Sequence, residues 1–160
     1  SGDWSSDVCS SDLALSRHDQ MRWIILAGAE PSPGFLDELR TLGGAKLTAE
    51  PNRRDFRELL RACRVSVSQA GYNSVVDLLA TGAPALVVPF SGEGGESEQP
   101  ARAQRLQALG RASVLAQDEL SPELLATRVD AFLDGPTEKF PLQHCEGAKR
   151  SAQLLVAALS

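Results

Sequence analysis

The chain has 160 residues, 42 % of them hydrophobic, and a formal charge of -5, enough for one α/β domain with a sizeable core. No apolar run approaches the roughly 20 residues that span a bilayer, and the charge balance argues against general nucleic-acid binding, which requires a basic face. Arg53, Arg54, Arg57, Arg61 and Arg64 cluster, but they alternate with acids and apolar residues as on a solvated helix face.

The first segment, Ser1 to Leu13, is rich in Ser and Asp, has no basic residue and shows no periodicity. It lacks the positive start and apolar centre of a signal peptide, resembles a translated sequencing-library adapter, and is set aside as non-native and disordered. Without Asp3, Asp7 and Asp12 the charge becomes about -2. The native part, Ala14 to Ser160, is then only mildly acidic. Ala14 to Gln20 reads as the tail of a helix, so a domain that should open with a strand and a glycine-rich turn starts late.

Trp23 to Ala27 reads as a buried strand, broken at Gly28 to Pro33, and Phe35 to Leu42 as a helix ended by Gly43-Gly44. Lys46 to Ala49 is the next strand, leading through Pro51-Asn52 into a helix from about Asp55 to Cys63. Val65 to Ser68 is a short β-branched strand, Ala70-Gly71 a tight turn, and Tyr72 to Ala80 a helix with Val75, Val76 and Leu79 at helical spacing. Ala85 to Pro89 is a continuous apolar strand of the kind covered on both faces. A glycine-rich acidic loop, Phe90 to Glu98, follows, then a helix from about Pro100 to Leu109 ended by Gly110 and a strand at Ala112 to Leu115. Ser121-Pro122-Glu123 marks a helix start running to about Leu133, with Ser as cap and Pro at the first helical position. Gly147 to Leu159 reads as a terminal helix. Alternating strands and helices specify an α/β fold with a doubly wound parallel sheet.

The chemistry is concentrated at Ser68-Gln69-Ala70-Gly71-Tyr72-Asn73-Ser74-Val75-Val76-Asp77. A strand-turn-helix leaves unpaired N–H groups at the positive end of the helix dipole, and Gly71 lets a phosphate approach without a Cβ in the way. Ser74 adds a hydroxyl. A carboxylate at Asp77 would repel a diphosphate unless directed elsewhere, for example to the two hydroxyls of a ribose; an acid early in a helix is also favourable with no ligand at all. No G-x-G-x-x-G is present, which argues against a dinucleotide dehydrogenase. The native cysteines, Cys63 and Cys145, have neither metal-ligand nor disulfide spacing, which fits a reducing cytoplasm. His18 and His144 lie near no candidate nucleophile, so neither is nominated as a base.

Taken with Gly82-Ala83-Pro84-Ala85-Leu86-Val87-Val88-Pro89-Phe90 and Glu98-Gln99-Pro100-Ala101-Arg102-Ala103, this motif resembles the C-terminal domain of glycosyltransferase family 28 over roughly Met21 to Leu133. That is the nucleotide-sugar half of a two-domain GT-B enzyme, in a group that includes predicted bacterial glycosyltransferases and the transferase adding GlcNAc to the peptidoglycan lipid precursor. The resemblance implies a Rossmann-like fold and residue roles. Ala70, Gly71, Tyr72, Asn73 and Ser74 would hold the diphosphate and Asp77 the ribose. The backbone around Asn52 and Arg53 would read the uracil edge, and Glu98 and Gln99 would bind the donor sugar. Glu98 stands where the peptidoglycan enzyme has Gln, and Asp77 replaces a Glu, which leaves the sugar open.

The resemblance also implies an inverting transfer of a hexosyl group from a UDP-sugar to an acceptor hydroxyl deprotonated by a base of the N-terminal domain. The helix start would offset charge on the leaving diphosphate, with no metal and no cofactor. The base, the acceptor site and the first glycine-rich loop are absent from these residues. The expectation is a partial domain that binds its donor weakly or not at all and does not turn over alone, completed in cis by an N-terminal GT-B domain. The acceptor is unknown. Two other readings stay open: a UDP-sugar 2-epimerase, whose expected T-E-R-P-E-like loop reads Glu96-Ser97-Glu98-Gln99-Pro100 here, and a noncatalytic nucleotide-sugar-binding module.

Overall fold

A computed structural model of the chain describes residues 21–28, 30–92, 98–135, 153–154 and 156–157. Ser1 to Leu13, the helix tail at Ala14 to Gln20, the loop centre at 93–97, and His144 and Cys145 lie outside the described residues. Of the expected terminal helix, Gln153, Leu154, Val156 and Ala157 are described, and they are helical.

Among the described residues from 21 to 135, five strands alternate with five helices in the expected order. They are β1 (Trp23–Leu26), α1 (Phe35–Gly43), β2 (Leu47–Glu50), α2 (Phe56–Ala62), β3 (Ser66–Ser68), α3 (Tyr72–Thr81), β4 (Ala85–Val87), α4 (Glu98–Ala108), β5 (Ser113–Val114) and α5 (Pro122–Asp134). Short 3-10 turns at Gly44–Lys46 and Gln117–Glu119 lead into β2 and α5. Helix ends follow their sequence signals. Gly82 and Gly110 take left-handed φ values of 66° and 65°, which a side chain would oppose, and so end α3 and α4. The Ser121 hydroxyl accepts from the Leu124 N–H at 3.2 Å, capping α5 ahead of Pro122. Helix α4 departs from expectation, starting at Glu98 instead of Pro100. A proline in the first turn lacks only an N–H that would have no helical partner there, so it does not mark the start.

All described strand pairs are parallel. β1 pairs with β2, matching Trp23 to Leu47 and Leu26 to Glu50, while β3 pairs with β4 and β4 with β5. The doubly wound arrangement is clearest at β4. Ala85 and Val87 face a cluster with Leu60, Leu78, Ala103 and Leu106, and Leu86 on the opposite face packs with Leu115, Leu125 and Val129. Helices α2, α3 and α4 therefore cover one face and α5 the other, which is why β4 is continuously apolar and fully buried. A third cluster, Leu39, Leu47 and Ala49, joins α1 to β2, and Trp23 packs against both it and the Leu86 cluster. Among the described residues the ladders form two groups, β1-β2 and β3-β4-β5, with no pairing between β1 and β3.

Candidate functional site

Chain order runs outward in both directions from the division between β1 and β3: β1 to β2 on one side, β3 to β4 to β5 on the other. In a doubly wound sheet, such a switch point opens a crevice at the carboxyl ends of the strands, where ligands bind. The cleft here is lined by residues following β2 (Asn52, Arg53), residues opening α3 (Tyr72, Asn73, Ser74) and Asp77. Six of the ten candidate site residues are thus brought together. Ala70, Gly71, Glu98 and Gln99 are not among its lining residues.

Helix α3 starts immediately after the turn, with Gly71 extended at φ -60° and ψ 149° and no side chain capping the first turn. Tyr72 and Asn73 are exposed, and Tyr72 retains 70 % of its accessible surface, so the N-terminal turn faces solvent with its dipole uncovered. A Cβ added at Gly71 would meet only Ser74 Oγ at 3.8 Å. Neither conformation nor internal packing requires glycine there, which leaves external access to the backbone as its physical use.

Asp77 lies one turn further along α3, and its Oδ1 accepts from Arg57 Nε at 2.6 Å. The carboxylate is mostly covered and the guanidinium more than half exposed, so this pair orients Asp77 more than it stabilises the fold. The second oxygen is left to accept from a ligand hydroxyl.

The loop after β2 is fastened by its own arginine. Arg53 forms a fork with Asp55, Nε to Oδ1 at 2.8 Å and Nη2 to Oδ2 at 2.6 Å, and its Nη1 reaches Glu50 at 3.1 Å. The hydrogen bond from Arg53 holds the Asp55 carboxyl below its ordinary range, and Asp55 in turn raises the guanidinium. The Asn52 N–H donates to the Gly28 carbonyl at 2.9 Å. The Arg53 guanidinium and the Asn52 N–H are therefore engaged in shaping this loop.

Glu98 and Gln99 diverge. Glu98 is exposed and accepts from Arg102 Nη1 at 2.8 Å, whereas Gln99 is buried with its Oε1 accepting from the Phe90 N–H at 3.1 Å. Gln99 thus fixes the chain leaving β4 and retains its amide NH2 as a donor. Arg102 also donates through Nε to the Ala70 carbonyl at 2.9 Å, tying the start of α4 to the turn before α3. Arg57 and Arg102 are the contributors that sequence reading missed. The spacing of Glu98 and Arg102 by four residues carries a helix-pair signal, but the contact to Ala70, 32 positions away, carries none. Among the described residues no three His, Cys, Asp or Glu side chains gather as a metal site, and no helix is long and apolar enough to cross a membrane. Cys63 is partly buried and packs on the Leu60 cluster.

A family model described as glycosyltransferase family 28 C-terminal domain matches residues 38–156. The UDP-N-acetylglucosamine--N-acetylmuramyl-(pentapeptide) pyrophosphoryl-undecaprenol N-acetylglucosamine transferase of Rhodospirillum centenum is 33% identical over 98 residues, 61% of this chain and 26% of that protein. Its counterpart in Methylobacterium radiotolerans is 33% identical over 117 residues, 73% of this chain and 31% of that protein. Among solved structures, Acinetobacter baumannii MurG superposes with a TM-score of 0.61 at 16% identity, covering 79% of this chain and 37% of that one. The glycotransferase of kitacinnamycin gives 0.63 at 21% identity, covering 81% and 31%. These two likenesses place the fold with that of known glycosyltransferases. The chain spans between a quarter and a third of the length of the two relatives.

Proposed function

Because this chain belongs to the glycosyltransferase family 28 C-terminal domain family, we propose that it is the donor-binding part of an inverting transferase that moves a hexosyl group from a UDP-sugar to an acceptor hydroxyl. The observation that carries the reading is that the uncapped start of α3, Asp77 and the Asn52-Arg53 loop all line the cleft between β1 and β3. Relatives named as UDP-N-acetylglucosamine transferases support the donor class.

In this reading the N–H groups of Tyr72, Asn73 and Ser74, with the Ala70-Gly71 turn and the Ser74 hydroxyl, receive the diphosphate. As the anomeric bond breaks, charge accumulates on the leaving diphosphate, and fixed N–H dipoles stabilise it without reorganising. Asp77, steadied by Arg57, accepts from the ribose hydroxyls. With the Asn52 N–H engaged by Gly28, backbone carbonyls near Asn52 and Arg53 are the groups left to accept from uracil N3–H. Glu98 and the Gln99 amide meet the donor sugar, and Arg102 holds Glu98 and the phosphate turn in mutual register. The catalytic base and the acceptor site belong to an N-terminal domain in cis, and the protein works in the cytoplasm. Ala14 to Ser160 form the partial domain and Ser1 to Leu13 are non-native.

Thermal unfolding with ligands tests the assignment. UDP is expected to raise the melting temperature more than UMP or ADP at equal concentration, and Asp77→Ala to remove most of that rise. Equal responses to all three nucleotides would contradict uridine recognition, and no response to any would contradict donor binding by this chain.

A further inference from the structure

Two arginines of the cleft meet carboxylates in different ways. Arg53 closes a full fork on Asp55, Nε to Oδ1 and Nη2 to Oδ2, and directs its remaining nitrogen to Glu50. Arg57 meets Asp77 through Nε alone, at 2.6 Å to Oδ1. Neither Nη1 nor Nη2 of Arg57, nor Oδ2 of Asp77, has a partner among the described residues. Both side chains line the cleft, and that of Arg57 is more than half exposed.

The open fork has a chemical preference. In a guanidinium the N–H groups of Nε and Nη2 lie side by side on one edge, spaced to match the two oxygens of a carboxylate. With Nε on Oδ1 and the second bond unmade, a donor without an acceptor stands beside an acceptor without a donor. A hydroxyl answers both, donating its O–H to Oδ2 while its oxygen accepts from an Nη N–H. A phosphate oxygen only accepts and meets Asp77 as a like charge. Local stability gives little reason for Arg57, because it stands in the first turn of α2, where a positive charge opposes the helix dipole. Exposed ion pairs contribute little as well.

We propose that Arg57 is a specificity-determining residue of the nucleotide site: an Nη group donates to the oxygen of one ribose hydroxyl while that hydroxyl donates to Asp77 Oδ2. The pair thereby selects a ribonucleotide over its deoxy analogue. This rests on the donor-binding reading above and adds to it a direct contact from a second helix. Arg57 and Asp77 line the same cleft as Asn52, Arg53 and the start of α3. Ribose is the part of a UDP-sugar that joins the base to the diphosphate, so its hydroxyls are the ones carried between those two groups of residues.

Calorimetric titration of the 160-residue chain with UDP, 2′-deoxy-UDP and 3′-deoxy-UDP tests the contact, with Arg57→Gln as the variant. Glutamine carries its amide nitrogen at the same point along the side chain as arginine Nε, so the bond that orients Asp77 is kept while both Nη groups are removed. The parent chain is expected to prefer UDP to one of the deoxy analogues by about 100-fold, from two hydrogen bonds to charged groups at about tenfold each. In Arg57→Gln the preference should fall to about tenfold, the share of Asp77 alone. Arg57→Ala, which removes the orienting bond as well, should lower it at least as far. Loss of the guanidinium charge weakens all three ligands alike and leaves their ratio unchanged, so the ratio reads the contact itself. A preference that Arg57→Gln leaves at the parent value would reduce Arg57 to a support for Asp77 and overturn the proposal. Equal binding of UDP and both deoxy analogues by the parent would also overturn it, as would loss of all UDP binding in Arg57→Gln at an unchanged melting temperature. In each of these cases UDP still binds the parent and the donor-binding reading stands. A parent chain that binds no UDP would overturn that reading and this proposal with it.

Discussion

Gly71 occupies backbone space open to any residue, and its neighbours would accept a Cβ at ordinary contact distance. Gly71→Ala should therefore leave the melting temperature unchanged or slightly higher, because alanine reduces the freedom of the unfolded chain by about 0.4–1 kcal/mol. The added methyl would stand where a phosphate must approach, and UDP affinity should fall by about tenfold, roughly 1.4 kcal/mol. Calorimetric titration beside a melting curve separates the two effects, and undiminished UDP affinity would remove Gly71 from the site. What was legible at this scale is the local structure: a strand, a glycine turn and a helix start within ten residues, found as β3, Gly71 and α3. The partners of Asp77 and Gln99 were not. Arg57 is 20 residues from Asp77 on another helix, and the partly buried hydrogen bond from the Phe90 N–H to Gln99 depends on how α4 packs against the end of β4. Side-chain pairing follows sequence spacing only within one helix.

Among the elements, α5 offers the cleanest test because its start is fixed by one hydroxyl. Ser121→Ala removes the acceptor for the Leu124 N–H and should cost about 1 kcal/mol, seen as a lower midpoint in urea with an unchanged slope. A midpoint equal to that of the parent chain would mean that tertiary packing alone fixes this end of the helix. Capping and glycine signals made the helix ends readable to within one residue, with the start of α4 as the exception. There Pro100 suggested a boundary, whereas the chain turns helical at Glu98 and places the proline inside the first turn. Two residues of displacement matter functionally, since they put Glu98 and Gln99 on a helix instead of a loop. One side chain then meets solvent and the other the interior.

At the level of the molecule, alternating strands and helices were enough to specify parallel pairing and two helical layers, because a continuously apolar strand such as Ala85–Val87 must be covered on both faces. The division between β1 and β3 was not legible, since strand neighbours are decided by tertiary contacts that leave no periodicity of their own. The same division creates the crevice, so the sheet's topology and the candidate site are one feature seen twice. Titrating the 15N-labelled chain with UDP and mapping amide shifts tests the donor-binding reading most directly. A donor domain requires saturable shifts concentrated at Gly71 to Ser74, Asp77 and Asn52 to Arg53, while shifts confined to other surfaces, or none at millimolar UDP, would contradict it.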